Sequence, residues 1–192
     1  LTEALTPSRF ASSTHVIYTS DHGELCGEHG LWWKDSFYEG SVRVPLLWSG
    51  PELRAPGTAD DRVVSLCDLS VTLGDFAGAP NLPAARGRSL RPALLDEAET
   101  SAAPRTAFAE TCALDERPAR MIRQGPWKLC AYHGYDQVQL FNLDQDPAET
   151  RDRGTDPACA ALRATLYAEL LREWDPAAIE RRLQRSEAEQ AL

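Results

Sequence analysis

Residues 18–51 read "YTSDHGELCGEHGLWWKDSFYEGSVRVPLLWSGP", which places acidic, imidazole and glycine residues between two apolar runs. The runs, at residues 15–20 and 41–50, are rich in β-branched and aromatic side chains and predict strands. Asp21 and His22 follow the first run directly. Because ligands bind at the carboxyl ends of strands in open α/β sheets, the segment predicts a sheet with a site at its edge.

The composition limits the classes of partner. The 192 residues carry a net charge of −9, with 43% hydrophobic and 26% charged residues. This length suits one domain, or one and a half, and the apolar share is enough for a core. The negative charge argues against nucleic acid, whereas a small anionic substrate is compatible with it because a bound cation can reverse the local field. No apolar run approaches the ~18 residues of a membrane span, so we expect no membrane partner.

The cysteines indicate a reducing compartment. Their odd number, their wide spacing and the absence of a C-x-x-C pair fit neither a disulfide framework nor a zinc site. We therefore expect reduced thiols in a cytoplasmic protein, and residues 1–15 do not resemble a signal peptide, although one upstream of residue 1 is compatible with the sequence. The five are Cys26, Cys67, Cys112, Cys130 and Cys159.

The pattern of the chain changes near residue 100. Before it, apolar runs predict strands at residues 15–20, 41–50 and 62–66, and a helix at 67–79 with Asp68 as its cap. After it, turn-linked stretches predict an antiparallel sheet, followed by a helix over residues 156–176 with an apolar stripe. We predict three regions: part of an α/β domain at 1–100, a small antiparallel β subdomain plus helix at 101–176, and a charged tail at 177–192.

The first region resembles part of a larger domain, and the tail is a candidate contact for a partner. The first has too few strands for a complete α/β sheet, so we expect the chain to open inside a domain. The tail is either a weak helix or an arm that contacts a partner, and it could support a homo-oligomer.

Asp21 and His22 are candidate metal ligands. Neighbouring strand residues point to opposite faces, so both reach one ion only if the backbone turns, which Gly23 permits. One carboxylate and one imidazole make half a site, and a hard cation such as Ca²⁺ or Mg²⁺ would need further oxygen ligands from elsewhere. The alternative is that Asp21 caps a turn and His22 is a surface residue.

Lys34 is a candidate contact for an anionic oxygen, because an ammonium acts as a point charge near a metal. The alternative is a solvated surface lysine. His29 could donate a hydrogen bond to a ligating residue, or lie in a plain loop. Glu24 could orient its neighbours, or be solvated.

Four segments, in this order, resemble the type I sulfatases of the alkaline phosphatase superfamily. They are "TSDHGELCGEHGLWWKDSFYEGSVRVPLL", then "RVVSLCDLSVTLGDFAGAP" with "RGRSL" after it, then "RMIRQGPWKL", and last "QLFNLDQDPAET". Each is a weak match alone, whereas their order is specific. The resemblance implies an α/β fold: the C-terminal strands of an alkaline-phosphatase-like sandwich, followed by a small antiparallel sheet with a packed helix.

The resemblance also implies a chemistry. Asp21 and His22 would be two ligands of one divalent cation, Ca²⁺ in most members and Mg²⁺ or Mn²⁺ in others, and Lys34 would bind a sulfate oxygen of a small sulfate ester. The nucleophile would be a formylglycine made from the first residue of a C/S-x-P-S-R motif. Residues 5–9, "LTPSR", contain only the end of that motif, because Leu5 cannot be converted. We therefore expect the nucleophile to lie in a missing N-terminal half and the isolated chain to be inactive.

Two alternatives to a sulfatase stay open. A phosphonate or phosphodiester hydrolase of the same superfamily would use the same cation and Lys34, since tetrahedral anions are alike to these groups. A non-catalytic, degenerate fragment would bind or assemble without turnover. Choline sulfate is one candidate substrate among several.

Overall fold

The computed structural model of the chain describes residues 2–54, 57–80, 83–97, 103–112 and 117–190, and these fall into two units. The first unit combines Leu1–His22 with Val44–Ala103. The second combines Gly23–Arg43 with Pro104–Leu192. The segment 23–43, which carries most of the quoted motif, therefore packs with the C-terminal part of the chain. Each unit is described by itself below.

A two-stranded antiparallel sheet forms the first unit's strand layer. Strand β1, Val16–Thr19, pairs with strand β2, Leu46–Ser49, from Val16 opposite Ser49 to Thr19 opposite Leu46. The first predicted strand is therefore confirmed. The second is shorter than predicted, because Glu39–Val42 forms the short helix α2 and Pro45 cannot donate to a ladder.

The predicted strand at residues 62–66 is wrong. The segment is irregular, because two carboxylates bind its backbone amides. Asp60 Oδ1 accepts the N–H of Arg62 at 3.1 Å, and Asp68 Oδ2 accepts the N–H of Ser65 at 3.0 Å. Side-chain oxygens that bind nearby amides compete with strand pairing.

Helix α3, Cys67–Phe76, confirms the predicted helix, whereas the predicted cap is wrong, because Leu66 is the N-cap and Asp68 lies in the first turn. The Asp68 carboxylate reaches back to the amide of Ser65 and also accepts the N–H of Arg88 at 2.8 Å. One turn later, the buried Thr72 hydroxyl accepts the N–H of Leu90 at 2.8 Å. These contacts hold residues 88–90 against α3. The first unit also contains two short helices, α1 at Thr2–Leu5 and α4 at Arg91–Leu94.

The second unit is built on a four-stranded antiparallel meander in the order β3-β4-β5-β6. Strands β4 and β5 join at a tight turn in which Gly125 has φ 53°, a left-handed conformation that glycine adopts without strain. The antiparallel sheet predicted after residue 100 is confirmed. The strands are β3, Thr106–Thr111; β4, Ala119–Gln124; β5, Trp127–Tyr132; and β6, Gln139–Asn142.

Helix α5, Ala160–Leu171, covers one face of this sheet. Asp156 caps the preceding turn by accepting the N–H of Ala158 at 2.9 Å. Three residues of the predicted apolar stripe are buried, Leu166 at 1%, Leu170 at 0% and Trp174 at 7% exposure, and the fourth, Leu162, is half-buried against the same core. These side chains meet Ile122, Leu129 and Leu140 of the sheet in one core.

The charged tail forms helix α6, Pro176–Gln190. Ile179 packs against the core, and Glu180 lies 3.5 Å from His133 Nε2. Of the two alternatives for the tail, a weak helix or an arm, the structure has the helix. Contact of the tail with a second copy of the chain stays a prediction. Over the ranges that the structure describes, no helix is both long and apolar enough to cross a membrane. All five cysteines are free thiols, of which Cys130 and Cys159 are buried.

Candidate active site

Asp21 and His22 come together at an exposed turn after strand β1. Asp21 Oδ1 accepts the backbone N–H of His22 at 3.0 Å, and Asp21 Oδ2 lies 3.6 Å from His22 Nε2. Ser20 closes the turn by donating its hydroxyl to the carbonyl of His22 at 2.8 Å. The side chain of Asp21 is 84% exposed and that of His22 42% exposed, so both are open to a ligand.

The electrostatics of the turn favour an ionised carboxylate. The backbone N–H of Asp21 itself, then the neighbouring His22, lower the pKa of Asp21 below its ordinary value. An ionised carboxylate beside an imidazole nitrogen is a donor set that suits a divalent cation. In the part of the chain that the structure describes, no three His, Cys, Asp or Glu side chains cluster as a metal site. The pair thus fits a cation as part of a shell.

Gly23, on the second unit's side of this turn, has a role other than the one predicted. Its φ lies outside the left-handed range, so no special turn requires glycine. Its N–H donates to the carbonyl of Ser41 at 2.7 Å, and a Cβ at this position would collide with the carbonyl of Gly40. Glycine is therefore needed for close approach of the backbones.

Lys34 lies at the end of a loop that Glu24 closes. Glu24 Oε1 accepts the N–H groups of Trp33 at 2.6 Å and Cys26 at 3.2 Å. Leu25 N–H donates to the carbonyl of Trp33 at 3.0 Å, and the side chain of Leu25 is buried. Trp33, immediately before Lys34, is thus fixed by two hydrogen bonds.

The backbone carbonyl of Lys34 is fixed from the other side. It accepts the Ser41 hydroxyl at 2.5 Å and the N–H of Ser36 at 2.7 Å. Ser41 lies in helix α2 and is 3% exposed. The residue Lys34 itself is exposed, so a held backbone carries an exposed lysine.

His29 stacks on Tyr38, with ring centroids 3.7 Å apart and an interplanar angle of 8°. Its φ of 53° is left-handed, which is uncommon for a residue other than glycine. The neighbouring Trp32 and Trp33 are exposed, at 68% and 72%. In the structure, Glu24 binds backbone amides and His29 stacks on Tyr38. That either residue orients a metal ligand stays a prediction.

Sequence reasoning missed Lys128, a fully buried lysine in strand β5. Its ammonium donates to the carbonyl of Phe37 at 2.7 Å and to Glu39 Oε1 at 2.9 Å, and it pairs with Glu149. The signal that could have found it is a lysine inside the apolar run "PWKLCAY", because a charge in a buried strand needs partners.

The predicted site residues fall into two groups. Asp21 and His22 meet in the first unit, and Lys34, Glu24 and His29 lie together in one loop of the second. The fold is the C-terminal portion of an alkaline-phosphatase-like sandwich ending in a small antiparallel sheet with a packed helix. Solved sulfatase structures share these features of the alkaline phosphatase-like fold.

The chain belongs to the sulfatase family. The sequence model described as "N-sulphoglucosamine sulphohydrolase, C-terminal" matches residues 27–175. The choline-sulfatase of Rhizobium meliloti (strain 1021) is 37% identical over 171 residues, which cover 88% of this chain and 32% of the relative. This chain therefore spans about a third of the length of that curated relative.

Two solved structures share the fold. A 2-O GAG sulfatase superposes with a TM-score of 0.79 at 28% identity, covering 88% of this chain and 37% of that one. The phosphonate monoester hydrolase of Agrobacterium radiobacter superposes with a TM-score of 0.76 at 28% identity, covering 88% and 36%. The recognition of the family and the predicted fold class are thereby confirmed.

Proposed function

We propose that this chain is the C-terminal portion of an enzyme that hydrolyses small sulfate esters through a formylglycine nucleophile lying outside the chain. Asp21 and His22 are two ligands of a divalent cation, Ca²⁺ before Mg²⁺ or Mn²⁺, and Lys34 binds a sulfate oxygen. The observation that carries the proposal is the paired geometry of Asp21 and His22, 3.6 Å apart at an exposed strand end, in a chain of the sulfatase family.

The residues of this chain have separate tasks in that reaction. A bound cation would polarise the sulfate and lower the pKa of the attacking hydroxyl. Asp21 and His22 hold it with one anionic and one neutral donor. Lys34 binds a sulfate oxygen and places a positive charge on the leaving side, where negative charge increases on the leaving oxygen as the ester bond breaks. The fixed backbone of Lys34 reduces the reorganisation needed in the transition state.

A chimera tests this proposal. The portion of the Rhizobium meliloti choline-sulfatase that aligns with this chain is replaced by residues 1–192, and hydrolysis of choline sulfate and 4-nitrophenyl sulfate is measured. We expect activity from the chimera and none from the isolated chain. In the chimera, Lys34→Ala and Asp21→Asn should each lower kcat/KM by roughly 10²-fold or more, the scale of losing one charge-stabilising contact.

The matched control is Asp35→Asn, next to Lys34, which removes an exposed carboxylate that the proposal does not use. It should retain activity within about threefold, since surface substitutions away from the site change little. A folded chimera whose Lys34→Ala variant keeps full activity would remove Lys34 from the site. Turnover by the isolated chain would contradict the placement of the nucleophile.

A phosphonate or phosphodiester hydrolase is the second candidate function. The 28% identity to the phosphonate monoester hydrolase of Agrobacterium radiobacter favours it, at a TM-score close to that of the sulfatase. Assays of the chimera with sulfate monoesters and phosphonate monoesters in parallel separate the two. A higher kcat/KM for the phosphonate would replace the sulfatase proposal.

A further inference from the structure

Lys128 is buried in the second unit, where three oxygen atoms surround its ammonium. The carbonyl of Phe37 and one carboxylate oxygen of Glu39 accept hydrogen bonds from it. The third oxygen belongs to Glu149, which forms an ion pair with the ammonium. Phe37 and Glu39 precede Lys128 by 91 and 89 residues, so this contact joins distant segments of one unit.

Glu149 is held in place by a strained turn. Its φ is 53°, a left-handed conformation that costs free energy in a residue with a Cβ. The Asp146 carboxylate fixes the turn by accepting the N–H groups of Thr150 at 3.1 Å and Arg151 at 2.8 Å. The side chain of Glu149 is thereby turned inward, 2% exposed, where its second oxygen accepts the N–H of Glu39 at 2.6 Å.

These contacts lead to Lys34 in two steps. Lys128 and Glu149 hold Phe37 and Glu39, which flank the start of helix α2. Helix α2 in turn places the Ser41 hydroxyl 2.5 Å from the carbonyl of Lys34. Three of the family-like motifs, "FYEGS", "GPWKL" and "DPAET", therefore converge on one contact network.

Stability alone does not account for this arrangement. A buried ion pair contributes little net stability, because both charges must be removed from water, and apolar side chains of similar volume often serve as well. The residue choice is also specific, since Lys34 and Lys128 are the two lysines of a sequence otherwise supplied with arginine. A compact ammonium fits among three converging oxygen atoms, whereas the guanidinium of arginine is planar and larger.

We propose that Lys128 and Glu149 are positioning residues for Lys34, so that the small antiparallel sheet sets the place of the sulfate-binding lysine through helix α2 and Ser41. The inference rests on the proposed function only for the role of Lys34. The backbone coupling itself belongs to this chain and is measurable without turnover.

Amide hydrogen exchange of the 192-residue chain tests the coupling. In Lys128→Met, and in the milder Glu149→Gln, exchange of the amides in residues 34–42 should accelerate by about tenfold or more, because local opening of that segment becomes easier. The matched control is Leu129→Ala on the same strand, whose side chain lies in the α5-facing core. It should destabilise the unit without selectively exposing residues 34–42.

A double variant distinguishes positioning from plain stabilisation. Lys128→Met with Glu149→Met replaces the ion pair by apolar side chains of similar size and should regain stability over the single variant. Exchange in residues 34–42 should nevertheless stay fast. If regained stability restores the protection of that segment, or if Leu129→Ala exposes it equally at matched stability, the positioning proposal is overturned.

Kinetics separate this proposal from the function on which it rests. In the chimera with choline-sulfatase, Glu149→Gln should lower kcat by about tenfold or more per folded molecule, because a misplaced contact loses transition-state stabilisation. Unchanged kcat in a folded chimera would overturn the positioning role. Fast exchange at residues 34–42 in a chimera without any turnover would support the coupling and contradict the proposed function.

Discussion

The α-carbon of Gly23 packs against the carbonyl group of Gly40, so closely that a methyl group at position 23 would collide with it. Gly23→Ala should therefore destabilise the second unit by about 1–3 kcal/mol, the usual cost of overpacking. Urea unfolding followed by tryptophan fluorescence measures the change. A variant as stable as the parent would show that the two backbone segments separate at little cost.

Gly74 offers the opposite case, in the last turn of helix α3. A Cβ there meets no atom within 4 Å, and its φ is not left-handed. Gly74→Ala should stabilise the first unit by roughly 0.5–1 kcal/mol, because alanine loses less backbone entropy in a helix. The midpoint of thermal unfolding should rise, and a fall would indicate that α3 needs glycine for a reason other than local packing.

Leu170 is the centre of the contact between helix α5 and the sheet, with 0% exposure. Leu170→Ala should cost about 2–5 kcal/mol, through lost burial and the cavity left behind. Tyr167 lies on the same helix at 40% exposure and provides the control. Tyr167→Ala should cost much less, and equal losses from the two variants in a denaturant titration would contradict the packing of α5.

Local patterns were enough to predict the α5 stripe and the antiparallel strands. Leu166, Leu170 and Trp174 recur every four residues, which fixes the buried face before any tertiary contact is known. Gly125, between two apolar runs, likewise marks the β4–β5 turn in the sequence itself. Asp21 and His22 could also be singled out, because a polar pair directly after an apolar run is visible in the sequence.

The errors come from side-chain contacts with the backbone and with buried charges, some of them local and others between distant residues. Residues 62–66 have strand-like composition, yet Asp68 binds the amides of Ser65 and Arg88, which lies twenty residues further on. Residues 39–42 form a helical turn because Glu149, far along the chain, accepts the N–H of Glu39. Lys128 was passed over for the same reason, since its partners are invisible until the chain folds.

Burial of the Cys130 thiol makes stability sensitive to alkaline pH. Desolvation raises the pKa of Cys130 from the ordinary 9.0 to about 12. Between pH 9 and pH 12 the unfolded chain releases the thiol proton, whereas the folded chain retains it. The free energy of unfolding is therefore unaffected by this thiol below pH 9. It falls as pH rises towards 12, by up to about 1.4 kcal/mol per pH unit. Relative to the parent, Cys130→Ala should lose less stability across that range, as measured by urea unfolding at each pH. Cys67→Ala, at an exposed position, should follow the parent; a Cys130→Ala profile parallel to the parent would show that the thiol ionises equally in both states.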